Sequence, residues 1–309
     1  MPTTILGNMS EHLLIPKEKL EYLIRSSPYR YKVYQIPKRS GGGLRTIAQP
    51  AREVKKIQYW VIKNIFPNFP VHQAAAAYVP GKNILKNAEK HSDKPYLLKL
   101  DFHDFFPSIK GNDFLKFSQE NNDFSLSEAD LRRLIRILFW LPERNNDFQL
   151  SIGAPSSPFL SNAIMYNFDS QISNYCAENN ISYTRYADDL AFSMHDMKKR
   201  GEVLAKVEEV LASQAFPILK INNRKTVFGS KAHRRIVTGL ILTNDGAVSL
   251  GRDRKRRIRA QIHHMLQGKL SKEEINNLRG MLAFARDIEP EFVKRMGKKY
   301  GKQVVKKMD

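Results

Sequence analysis

Polar and apolar positions alternate at period two in YTRYADDLAFS (183–193): Tyr183, Arg185 and Ala187 fall on one side and Thr184 and Tyr186 on the other. Leu190, Ala191 and Phe192 resume the strand-like pattern after the adjacent acids Asp188 and Asp189. Period two is the signature of a pleated strand, so the stretch predicts a hairpin with both carboxylates at its turn. The same reading predicts two strands in YKVYQIPKRSGGGLRTIAQP (31–50), joined by a glycine turn at Gly41–Gly43. YLLKLDF (96–102) is a short apolar run ending in an acid, which predicts a buried strand that delivers Asp101 to its end. Helical spacing predicts helices over 11–27, with Leu13, Leu14, Leu20, Leu23 and Ile24 as the apolar set, over 54–66, and over 125–141 behind a serine cap, with Trp140 in the core. RDRKRRIRAQIHHMLQGKL (252–270) predicts a helix with Ile258, Ile262, Met265 and Leu266 on one face and arginines on the rest.

Charge then narrows the class. The 309 residues carry a formal net charge of +20, with a pI near 9.9, far more than solubility requires and typical of a chain that holds a polyanion. The excess is localised: residues 231–309 hold 20 lysines and arginines against 8 acids, a surplus of +12. A solvated charged helix and a phosphate-contacting helix both fit the six basic residues between Arg252 and Arg259. No apolar run approaches the roughly 18 residues of a membrane span, so no membrane partner is expected. MPTTILGNMS has neither the basic start nor the apolar stretch of a secretion signal. One cysteine, Cys176, excludes an internal disulfide and a cysteine-based zinc site, and a reducing cytoplasm fits.

Asp101 and the Asp188–Asp189 pair lie 87 positions apart, each at a strand end. Two acids in a turn have an ordinary solvated reading, because aspartate bonds well to local backbone. Like charges held together also invite a hard divalent cation such as magnesium. Three carboxylates suffice for a two-metal phosphoryl-transfer site, where the metals activate an attacking hydroxyl and neutralise the leaving phosphates. The three glycines at 41–43 lack a following P-loop Lys-Ser/Thr, so a hairpin tip is the better reading there.

Longer stretches carry a family resemblance. YADD resembles the catalytic box of reverse transcriptases, LKLDFHDFFPSI their upstream aspartate box, GAPSSPFLSNAIMYNFD the box that contacts template and primer, and INNRKT (221–226) the following lysine-bearing segment. They cover about 20–240 in the family's order. NAEKH (Asn87–His91) and VTG (Val237, Thr238, Gly239) resemble two elements that mark retron reverse transcriptases. The resemblance implies an α+β right-hand polymerase fold: fingers over 1–95, a palm of antiparallel sheet with packed helices over 96–230 holding an inserted helical finger segment at about 112–150, and a basic helical thumb over 231–309. It implies an RNA-directed DNA polymerase with two Mg2+ ions, deoxynucleoside triphosphates as substrates, and a cognate structured noncoding RNA and RNA–DNA hybrid as partners. Priming from an internal guanosine 2′-hydroxyl, a branched RNA-linked DNA product, and antiviral defence beside an effector protein encoded nearby complete the implied picture.

Carried over by position, Asp101, Asp188 and Asp189 hold the metals, with the Phe102 backbone carbonyl as a further ligand. Phe106 takes the place of the aromatic that excludes a 2′-hydroxyl, although neighbouring Phe105 fits either that job or core packing. Arg45 resembles the group that grips the triphosphate, and Lys225 one that protonates pyrophosphate or contacts phosphate. Asn87, His91 and the VTG element are expected to recognise RNA, with core capping as the alternative. Arg254, Arg256 and Arg257 are expected to contact duplex phosphates. One departure stands out: Ile152 precedes Gly153 where the family commonly has glutamine touching the nucleotide. No acid-rich nuclease extension is present, so another protein would degrade template RNA. A reverse transcriptase of intron-associated or diversity-generating type, or a silent RNA-binding scaffold, remains open.

Overall fold

The apolar run 96–102 becomes the inner strand on which the acid-bearing hairpin is assembled. The computed structural model describes residues 4–38, 43–121, 126–142 and 147–301. Near the N-terminus, α1 (Ile5–Leu13) and α2 (Lys17–Ser26) replace the single helix expected over 11–27. Leu14 in the left-handed region (φ 54°) and Pro16 at the next N-cap divide them. Antiparallel β1 (Tyr31–Pro37) and β2 (Leu44–Pro50) form the finger hairpin, with Gly41 and Gly42 of its predicted tip outside the described residues. Next come α3 (Arg52–Asn64), whose Val54, Ile57, Trp60 and Val61 are buried, and the short α4 (Ile84–Glu89).

Strand β3 (Tyr96–Asp101) is followed by a helical turn, α5 (Phe105–Ser108), and by α6 (Gly111–Glu120) and α7 (Glu128–Leu138). The last begins later than predicted, capped by Ser127, and stops before Trp140, which leaves the helix to bridge Gln149 and is half-buried rather than in the core. Helices α8 (Ser157–Ile164) and α9 (Tyr166–Glu178) lead into β4 (Ser182–Tyr186) and β5 (Asp189–Met194). After α10 (Lys199–Ser213), a 3₁₀ turn at Asn223–Lys225 precedes β6 (Val227–Gly229). The antiparallel sheet has strand order β4–β5–β3–β6.

A second sheet, β7 (Arg235–Val237), β8 (Leu240–Leu242) and β9 (Val248–Ser249), opens the C-terminal region, followed by α11 (Arg252–Leu266), α12 (Lys272–Ile288) and α13 (Pro290–Tyr300). Ile258 and Ile262 are buried as expected, but Leu266 is exposed. Two hydrophobic clusters result among the described residues. The larger runs from Ile5 to Leu219, while the smaller joins the C-terminal helices to Ala88, Leu97 and Ala191, so the basic region has its own core seated on one face of the larger sheet. No helix among the described residues is long and apolar enough to cross a membrane.

Candidate active site

The hairpin turn consists of Ala187, at φ 57°, and Asp188, while Asp189 already opens β5 opposite Tyr186. Asp101 lies directly across from Asp189 in the β3–β5 pairing. The Phe102 amide donates to the Asp188 carbonyl at 3.1 Å, and the Asn222 amide to the Asp101 carbonyl at 2.7 Å, so both acid-bearing segments and the lysine segment are tied by backbone. Strand alternation sets the faces. Asp101, Lys99 and Leu97 share one face with Asp189, Ala191 and Ser193, and Thr184 joins them across from Ala191. Leu98, Leu100, Leu190 and Phe192 point the other way, into the larger core.

Electrostatics sharpen this geometry. Burial, reinforced by the charges of Asp101 and Asp189, pushes the Asp188 carboxyl up to about 6. Burial and Asp101 also raise Asp189, against the opposing pull of Lys99 and Lys225. Lys225 Nζ sits 2.7 Å from Asp101 Oδ1, and Lys99 Nζ 4.0 Å from Asp189 Oδ1. Among the described residues no trio of His, Cys, Asp or Glu is already drawn into a metal cage. The donors nonetheless fit a hard divalent cation: they are carboxylates, the charge of Asp101 raises the proton affinity of both Asp188 and Asp189, and lysine ammonium groups stand where positive charge is needed.

The flanking residues are sorted by burial. Phe105 is 3% exposed and stacks on Phe102 with centroids 5.6 Å apart, whereas Phe106 is only partly buried beside it. Arg45 is exposed on β2. Ile152 meets the finger hairpin through its backbone, its carbonyl accepting from the Ala48 amide at 2.9 Å. Gly153 has φ +129°, and a Cβ there would lie 3.0 Å from the Ala48 carbonyl oxygen, so only glycine lets this loop approach β2.

The two retron-like elements meet each other. Thr238 and Gly239, both at positive φ, form the turn between β7 and β8, and Thr238 Oγ1 donates to the Ile84 carbonyl of α4 at 3.3 Å. Val237 is buried. Asn87 is 3% exposed and His91 wholly buried, with both ring nitrogens engaged inside the protein. This corrects the expectation that His91 and Asn87 present their polar groups to RNA, because neither side chain reaches the surface. Arg254 also differs from expectation: its guanidinium lies 5.1 Å over the Phe284 ring, within the helical region, while Arg256 and Arg257 are exposed.

Some residues at the site escape a motif reading. Arg185 and Asp169 are fully buried as a forked ion pair, with Nη2 to Oδ2 at 2.6 Å and Nε to Oδ1 at 2.9 Å. Asn162 Oδ1 and the Ala187 carbonyl accept from Arg185 Nη1, and Tyr183 donates to Asp169, so the turn is braced from the core side. A charge at an inward strand position, as alternation places Arg185, is the signal that could have found the pair. Tyr78, at φ 59°, lies on the alanine-rich segment that bridges β4 through Ala75 and Arg185, its ring 6.5 Å from that of Tyr186. Burial, with Tyr186 and Asp188 nearby, raises the Tyr78 hydroxyl.

Comparison with known proteins places this arrangement. Residues 36–257 match the model of the family described as reverse transcriptase (RNA-dependent DNA polymerase). The chain is 45% identical to the Retron Ec83 reverse transcriptase of Escherichia coli over 93% of its length and 92% of that protein's. It is 33% identical to the Retron Ec86 reverse transcriptase of Escherichia coli, covering 98% of this chain and 92% of that one. With its aspartates on adjoining strand ends of an antiparallel sheet, the chain belongs to the reverse transcriptase family and, within it, to the retron reverse transcriptases, which makes it an RNA-directed DNA polymerase.

Proposed function

We propose that this polymerase copies a cognate structured noncoding RNA, starting from the 2′-hydroxyl of an internal guanosine and leaving a branched RNA-linked single-stranded DNA. The observation that carries the chemistry is the register Asp101↔Asp189 with Asp188 on the turn, three carboxylates at one end of one sheet. Asp101, Asp188, Asp189 and the Phe102 carbonyl would hold two Mg2+ ions. The chemistry such ions would supply is neutralisation of the triphosphate and a lowered pKa of the attacking hydroxyl. Lys225 holds the Asp101 carboxylate and is within reach of phosphate chemistry at the same edge. Phe106 closes the floor beside the sugar, Arg45 meets the triphosphate from the fingers, and Gly153 keeps template-side backbone close to β2.

The fingers, palm and thumb divide at about residues 95 and 230 in this reading, and the thumb holds nucleic acid through phosphates. A cleft of about 710 Å3 between the second sheet and the start of α11 is lined by Lys231, His233, Arg234, Arg252 and Lys255, with Asp253 as its acid. Together with exposed Arg256 and Arg257 it forms a cationic surface suited to a sugar–phosphate backbone. The setting is the cytoplasm, in an antiviral system with an effector protein. The test uses RNA transcribed from the DNA flanking the gene, deoxynucleotides and Mg2+. Product that shortens on treatment with a debranching enzyme is expected; extension solely from free 3′ ends would overturn the priming reading and leave the polymerase assignment intact.

A further inference from the structure

The NAEKH element loses its expected role once Asn87 and His91 are found inside the protein, with only Glu89 and Lys90 of its polar side chains exposed. His91 follows α4 and stands on the sheet face that carries Asp101 and Asp189. Its Nδ1 lies 2.9 Å from Ser193 Oγ on β5, and its Nε2 2.8 Å from Thr184 Oγ1 on β4. Ser193 and Thr184 are themselves almost fully buried, at 0% and 1% exposure. One ring therefore spans the two strands of the acid-bearing hairpin, two residues before Tyr186 on one strand and four beyond Asp189 on the other. Arg185 and Asp169 grip the same hairpin from the opposite face.

We infer that His91 is a positioning residue for polymerisation, fixing how the two strands lie against each other and hence where the turn holds Asp188 relative to Asp189 and Asp101. The inference rests on the metal-site reading above. Three features distinguish this contact from ordinary core filling. Both ring nitrogens are used, which fixes the ring in its plane. Each nitrogen takes a different strand, so the hydroxyls cannot slide past each other without breaking a bond. Burial drives the imidazole down to about 3, so it stays neutral, with one nitrogen donating to a hydroxyl and the other accepting from one. The hydrophobic neighbours of α4 add a constraint: Ala88 packs with Leu97 and Ala191 of the catalytic sheet and with Val237 of the VTG strand, so the helix that delivers His91 is itself wedged between the sheet and the basic region.

The test separates positioning from stability. His91→Phe alone strands two buried hydroxyls and should unfold more readily. Combining His91→Phe with Ser193→Ala and Thr184→Val removes both hydroxyls, so the thermal midpoint should return close to that of the unaltered protein. If His91 positions the acids, kcat for extension of a generic annealed primer on RNA should stay down by about tenfold, as small misplacements of reacting groups cost. The Mg2+ concentration giving half-maximal rate should rise, while affinity for the template–primer stays the same. Thr184→Val alone, nearly isosteric, should show the same pattern more weakly. Recovery of kcat and of the Mg2+ requirement together with stability would overturn the inference, as would an unchanged kcat in a folded Thr184→Val. Asp188→Asn in the same assay tells the two readings apart, since its full activity would sink the metal site itself.

Discussion

The acid-bearing end of the main sheet and the basic C-terminal region carry charge in opposite ways. In the first, Asp101, Asp188 and Asp189 are crowded and mostly buried, and lysines from β3 and from the 3₁₀ turn lean on them. In the second, Arg252, Arg256 and Arg257 stand exposed, with no carboxylate in ion-pair range among the described residues. Crowded buried acids are poised for a few multivalent cations held in fixed places; spread, solvated cations are poised for a long polyanion held loosely. The sharpest way to break the first half is Asp188→Asn, which removes charge at nearly constant shape. Its extension rate should fall by about a thousandfold or more, measured in single turnover with Mg2+.

Phe106→Val probes the edge of the same site. Because Phe105 is committed to the stack on Phe102, the half-exposed Phe106 is the ring free to exclude a hydroxyl. Ribonucleotide incorporation relative to deoxyribonucleotide should rise on the order of a hundredfold on one template. An unchanged ratio would return the role to another side chain.

Burial also predicts a pH effect with opposing parts. His91, lowered to about 3 in the folded protein, binds its proton only after unfolding, so its contribution is complete above about 6.5 and is lost as pH falls from there toward 3. Asp188, raised to about 6, has the reverse sign: the folded state takes up a proton first, which stabilises it as pH drops from about 6 toward the ordinary carboxylate range. Urea unfolding of Asp188→Asn should therefore lose up to about 1.4 kcal/mol per pH unit below pH 6.5, more steeply than the unaltered protein.

How much of this was readable differs by region for physical reasons. The strand at 96–101 was legible because a buried strand is apolar, and the hairpin at 183–193 because its residues alternate at period two, although both of its faces turn out to be buried. The break at Leu14 was not, since the apolar spacing continues through it and only backbone conformation and Pro16 betray the turn. The overrun of 125–141 arose because Phe139, Leu141 and Trp140 prolong an apolar pattern that the chain uses in extended form. At the site, three acids were legible as carboxylates at a strand end and a hairpin turn. His91 was misread, because a polar residue in a short motif looks the same whether it faces RNA or two buried hydroxyls. Lys99 and Tyr78 came from tertiary pairing alone.

The smallest effect sharpens the second half of the comparison. Arg256→Glu with Arg257→Glu spares Arg254, which packs over Phe284, and so avoids disturbing the helical core. Duplex affinity should weaken, and the slope of log affinity against log salt should flatten by about two units, one for each lost phosphate contact.

The most direct measurement is a crossed titration of two ligands against two variants. Mn2+, as a paramagnetic stand-in for Mg2+, would be followed by its free-ion resonance, and an RNA–DNA duplex by fluorescence anisotropy. Asp188→Asn should lose Mn2+ binding and keep its duplex affinity in metal-free buffer, whereas Arg256→Glu/Arg257→Glu should keep Mn2+ and lose duplex affinity. Mn2+ binding that survives Asp188→Asn, or a variant that loses both ligands together while still folded, would contradict the division of labour between the acidic sheet edge and the basic helices.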